Sequence, residues 1–155
     1  MKYKIIVRVY VSMFILANIM FLVIEGNKDG FRKSFLVYGS EITEAQFIQL
    51  NQLDIATTFI EYVIITLILI GATFTIIQKR ENNFKRFILF NGLACMLFYT
   101  VGILLAKMEV APIGNLTQQL ILPIYILFFL WIYSVVQFSF KKRKIENHYK
   151  KITHP

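Results

Sequence analysis

The chain is poor in the residues that build most chemical sites. Its 155 residues include one cysteine, Cys95, so there is no intramolecular disulfide and no cysteine-rich zinc or iron–sulfur site. Both histidines, His148 and His154, lie in a lysine-rich stretch outside every apolar run. That placement leaves no histidine–carboxylate metal set, no Ser–His–Asp triad and no heme ligand inside a helix. Seven glycines are scattered singly, so no phosphate-cradling loop is present. Neither catalysis nor a bound cofactor or metal is expected.

What the chain does have is apolar length. Hydrophobic residues make up 57% and aromatics 15%, too apolar for a surface that faces water. A helix rises about 1.5 Å per residue, so about 20 apolar residues cross about 30 Å of hydrocarbon. Four runs meet that length, at about 5–24, 55–77, 87–106 and 120–140. They predict an all-α fold, an integral membrane four-helix bundle of up-down design, with 1–155 as a single domain. Residues 141–155 form a basic tail. The first run is longer than a signal-peptide core of 7–15 residues, and it is read as a retained helix.

The net charge of +8 follows the same plan. In a four-span threading, Lys2, Lys4, Arg8, Lys79, Arg80, Lys85, Arg86, Lys141, Lys142, Arg143, Lys144, Lys150 and Lys151 all fall on one side. The other side holds Lys28, Arg32, Lys33 and Lys107 among Glu25, Asp29, Glu41, Glu44, Asp54 and Glu109. The positive-inside rule then puts both termini in the cytoplasm, and the composition fits a bacterial cytoplasmic (inner) cell membrane. Basicity arranged this way marks topology and contact with the lipid bilayer, at about 1 kcal/mol per cation near anionic lipid. A nucleic-acid partner is not expected.

The connections are unequal. Residues 26–53 form the longest, an outer loop that opens on the turn residues Asn27-Lys28-Asp29-Gly30. Further on, Thr43 with Gln46 three residues later is a capping-box pattern, followed by Phe47, Ile48 and Leu50 on an apolar face. A short amphipathic helix lying along the outer interface is expected there, with Asp54 opening the second span. The turns at 78–86 and 107–119 are short, so the second, third and fourth helices are neighbours. Asn115-Leu116-Thr117 matches the glycosylation acceptor pattern but is read as a helix N-cap.

Polar residues inside the spans are the candidate site. Glu61 lies seven residues beyond Asp54, about 10 Å deep. Counting depth on the other helices brings Asn18, Tyr99, Thr100 and Tyr125 to the same outer layer. A carboxylate at that depth costs several kcal/mol unless it is partnered or protonated, which makes it either a ligand site or the polar glue of the bundle. A second layer towards the cytoplasm holds Arg8, Asn91 and Gln137, with Ser134 and Thr75 near them and Arg8 within reach of the headgroups. Two faces are expected to be buried. One is Asn91, Cys95, Tyr99, Gly102 and Ala106 on the third helix; the other is Thr58, Glu61, Ile65, Ala72 and Thr75 on the second, with Gly71 beside it. Pro123 is expected to kink the fourth helix and free the carbonyl near Gln119.

Two familiar designs are excluded by motif. The long outer loop lacks the cysteine pair of claudin-like tetraspans. Arg80-Glu81 and Asn91 do not reproduce the Glu-Arg…Asn pattern of the glutathione-handling membrane enzymes. In threading and size alone the chain resembles the four-span immunity proteins that protect bacteria from pore-forming colicins. The expected function is non-enzymatic: an accessory subunit or immunity-type protein that binds another membrane protein. The alternative is a small transporter or ion-conducting homo-oligomer centred on Glu61 and Asn18.

Overall fold

The computed structural model describes residues 2–38, 43–78, 81–108, 121–137 and 140. The described residues form four helices: α1 (Lys2–Tyr38), α2 (Glu44–Ile77), α3 (Glu81–Lys107) and α4 (Ile121–Gln137). The first three are long and apolar enough to cross a membrane, and the fourth is apolar but shorter.

α1 is 37 residues long, about 55 Å, and it does not stop at Glu25. The turn expected at Asn27-Lys28-Asp29-Gly30 is helical instead. Gly26 and Gly30 each weaken a helix by about 1 kcal/mol relative to alanine. Against that cost stand ion pairs along the same helix, Lys28 with Glu25 and Lys33 with Asp29, plus a packing partner in α2. No proline interrupts the segment, so the helix carries on through a sequence that looks like a loop.

α2 differs from expectation in the same direction. The amphipathic helix expected ahead of Asp54 is not a separate element but the opening turns of one 34-residue helix. Its start is where the capping pattern put it. The Thr43 amide donates to Gln46 Oε1 at 2.9 Å, and the Phe47 amide reaches the Thr43 carbonyl at 3.0 Å. In these turns Phe47 and Ile48 are exposed while Leu50 is half-buried. α3 likewise begins at Glu81, ahead of the apolar run, where Glu81 and Lys85 pair at i,i+4. The segment around Pro112, Gly114, Asn115, Thr117 and Gln119, and the tail 141–155, lie outside the described residues.

α1 and α2 are antiparallel. Lys28 meets Asp54 at one end, and the Tyr10 ring lies against Gly71 at the other. Between them runs a seam of Phe14, Ala17 and Phe21 from α1 with Ile60, Ile64, Ile68 and Ala72 from α2; Phe87 and Cys95 of α3 and Leu127 of α4 complete the core. Spacings of three and four residues place these side chains on one face of each helix. Gly71 is the point of closest approach. A Cβ there would sit 2.5 Å from Phe87 Cε2 and 2.9 Å from Tyr10 Cε2, so only glycine lets three helices meet. Small residues serve this purpose between membrane helices, where close contact replaces the hydrophobic effect as the driving force.

Buried polar groups are mostly satisfied within their own helix. The Asn18 amide donates to the Phe14 carbonyl at 2.8 Å, Asn91 to Phe87 at 2.8 Å, and the Thr75 hydroxyl to Ala72 at 2.9 Å. Asn91 also binds across helices: Tyr10 Oη donates to its Oδ1 at 2.6 Å. The Tyr10 ring in turn packs against Phe87, with centroids 5.6 Å apart. Tyr10, Asn91, Phe87 and Gly71 thus form one lock joining α1, α2 and α3.

Candidate functional site

The polar residues that the fold concentrates lie where α1 leaves its apolar run. Phe14, Asn18, Phe21, Glu25 and Lys28 follow one another at alternating steps of four and three, so the buried face of α1 passes from apolar to charged without changing direction. Lys28 is the hub and is 3% exposed. Its Nζ lies 2.5 Å from Glu25 Oε1 and 2.7 Å from Asp54 Oδ1 of α2. Glu25 is 1% exposed. The backbone under Asp54 is held as well, since the hydroxyls of Thr57 and Thr58 both donate to its carbonyl at 2.9 Å. At the rim, Arg32 stands 4.0 Å from Asp54, and Lys33 pairs with the largely buried Asp29 at 3.0 Å.

Such a cluster is held by reciprocity. A single ion taken out of water costs several kcal/mol, and the pair recovers this only when the geometry is good and the remaining polar atoms are bonded. One ammonium here serves two carboxylates on two helices, which fixes the register of α1 against α2.

Glu61 lies two turns further along α2 from Asp54 and is half-buried. It is within electrostatic range of Glu25 and Lys28, yet it makes no hydrogen bond or ion pair among the described residues. The cation nearest to hand, Lys28, already serves Glu25 and Asp54.

The other expected residues are placed as follows. Asn18 is buried and bonded to its own helix. Tyr99 and Thr100 are exposed, the Thr100 hydroxyl donating to the Met96 carbonyl at 2.9 Å, and Tyr125 is 58% exposed. The structure therefore does not bury these three with Asn18. In the second layer Asn91 is fully buried, while Arg8 and Gln137 are exposed; the residue brought to Asn91 is Tyr10. Ser134 and Thr75 are buried. On α3 the buried face runs through Phe84, Phe87, Asn91, Cys95 and Gly102, and it bypasses Tyr99.

Reading depth from the sequence missed Lys28, Glu25 and Tyr10. The signal for the first two was there, because their four–three spacing continues the seam of Phe14, Asn18 and Phe21. The turn-forming neighbours Asn27 and Gly30 hid it.

As to chemistry, among the described residues no group of three histidine, cysteine or acidic side chains is placed to hold a metal ion. Cys95 is buried. The arrangement can clamp helices together and present one carboxyl at the edge of a helix seam.

Fold and site together define an all-helical protein with three membrane-length helices and a charged clasp between the first two. Compared with protein-family models, curated proteins and solved structures, the chain matches none of them.

Proposed function

We infer that this is a small non-enzymatic membrane protein that acts by binding another membrane component, as an accessory subunit or an immunity-type protein. In this reading it is an up-down four-helix bundle of the cytoplasmic membrane with both termini inside, as the distribution of lysine and arginine implies. The observation that carries the reading is how its polar groups are used. Among the described residues, Asn18, Asn91, Thr57, Thr75, Glu25 and Lys28 are engaged in bonds along or between helices. The outward surface of α4 is aromatic instead, with Tyr125, Phe128, Phe129, Trp131 and Tyr133 all exposed and the Trp131 ring stacked on Phe128.

The test is extraction from the host's own membrane into lipid nanodiscs, followed by mass measurement of the intact particle. A complex with a different protein is the expected result. A homo-oligomer whose ion flux in proteoliposomes depends on Glu61 would replace this reading with a transporter.

A further inference from the structure

We propose that Glu61 marks the docking site of a partner's transmembrane helix, one that carries a lysine or arginine at the same depth. This deepens the interaction reading and rests on it. The argument starts from helix geometry. At about 100° per residue, Thr57, Ile60, Ile64, Ile68 and Ala72 form the face of α2 turned into the bundle. Thr58, Tyr62, Ile65 and Leu69 form a second stripe beside it, at four–three–four spacing. Thr58, Tyr62 and Leu69 are exposed and Ile65 is half-buried. Glu61 sits on the border between the two stripes. α2 thus has one face filled by its own chain and, beside it, a largely exposed stripe with a carboxyl along the border.

Charge decides what covers that stripe. Acyl chains offer no donor to a carboxyl, and an unmet polar group in hydrocarbon costs several kcal/mol. Of the chain's own cations at this end, Lys28 serves Glu25 and Asp54, Lys33 pairs with Asp29, Arg32 is set towards Asp54 at the rim, and Lys107 is exposed at the end of α3; none pairs with Glu61. A second copy brings the same set, in which Lys28 is the one buried cation among the described residues and is already paired, so it offers no cation at this depth without opening its own clasp. A different helix with a basic residue about 10 Å inside the span meets Glu61 directly, while its apolar side packs on Tyr62, Ile65 and Leu69.

The test uses the full chain, donor-labelled in phosphatidylcholine vesicles, with acceptor-labelled polyleucine helices as probes. The probes carry lysine, leucine or glutamate seven residues inside the span. Energy transfer is expected to report about tenfold tighter association with the lysine helix than with the leucine helix, the scale of one membrane polar contact. The glutamate helix should gain nothing, and Glu61→Leu should lower the lysine helix to the leucine level. The comparison of probes on the unmodified chain needs no variant to fold. Equal binding of all three probes overturns the proposal, as does a lysine preference that survives Glu61→Leu. Self-association of the wild type that Glu61→Leu abolishes also overturns it, and assigns the stripe to a second copy. A native heteromeric complex that persists in Glu61→Leu overturns this proposal alone; the absence of any heteromeric complex overturns the interaction reading itself.

Discussion

Replacing Gly71 by alanine should loosen the bundle although alanine is the better helix former. The added methyl carbon would lie 2.5 Å from Phe87 Cε2 and 2.9 Å from Tyr10 Cε2. Carbon atoms rest at about 3.5–4.0 Å, so the Phe87 ring must retreat by about 1 Å. It has little room to do so, being buried and packed on Tyr10, whose hydroxyl is fixed to Asn91 at 2.6 Å. Overpacking of this kind costs about 1–3 kcal/mol. Alanine also gains about 1 kcal/mol of helix propensity, which hides part of the loss. Gly92 supplies the control, because a Cβ there meets nothing within 4 Å. Gly92→Ala should therefore stabilise by about 1 kcal/mol, and Gly71→Ala should fall below it by about 1–3 kcal/mol. The difference is read by titrating bicelle-held protein with dodecyl sulfate while following helix content and Trp131 fluorescence. Phe87→Leu added to Gly71→Ala should recover part of the loss. If both alanine variants shift the midpoint by the same amount and in the same direction, the three-helix contact at Gly71 is refuted.

The clasp makes a sharper demand. Lys28→Met takes the ammonium away from the buried Glu25 and should cost up to about 3–5 kcal/mol, with little added by the half-exposed Asp54, whereas combining it with Glu25→Gln should restore part of that; the same titration decides. Tyr10→Phe leaves Asn91 Oδ1 without its donor in a fully buried setting and should cost about 1 kcal/mol, with Asn91→Ala no longer additive on top of it. Tyr99→Phe, Thr100→Ala and Tyr125→Phe remove only exposed groups and should each stay within about 0.5 kcal/mol of wild type; a larger loss in any of them would place that residue in the core. Cys95, at 1% exposure, should resist a membrane-permeant maleimide in the folded protein and react promptly once unfolded, as mass spectrometry of the adduct reports.

The helices were legible in the sequence because each is a sum over about twenty residues, and a sum tolerates local exceptions. Their ends were not, because an end depends on few residues. Asn27, Asp29 and Gly30 have turn chemistry, yet pairs three and four apart, Glu25 with Lys28 and Asp29 with Lys33, hold the helix through them. The candidate site shows a second limit. Depth along a helix follows from counting, so the levels of Glu61 and Asn18 could be compared directly. Direction around the helix depends on small departures in the buried seam. Tyr99 is four residues past Cys95 and by spacing shares its face, but that face continues to Gly102, seven past Cys95, and Tyr99 is exposed. Asn91 was recognised as buried from its type and position, while Tyr10 as its donor depended on how two helices cross.

An unbroken α1 also has a mechanical meaning. The clasp at Lys28 and the ring of Tyr10 at Gly71 are eighteen residues apart on one rod, about 27 Å. Nothing between them acts as a joint. A rotation of the rod by about 10° about the clasp carries the Tyr10 end sideways by about 5 Å, over a contact that has no slack for a single methyl group. Whatever pulls on the turns beyond Lys28 therefore acts through a lever whose short throw is felt at the tightest point of the molecule.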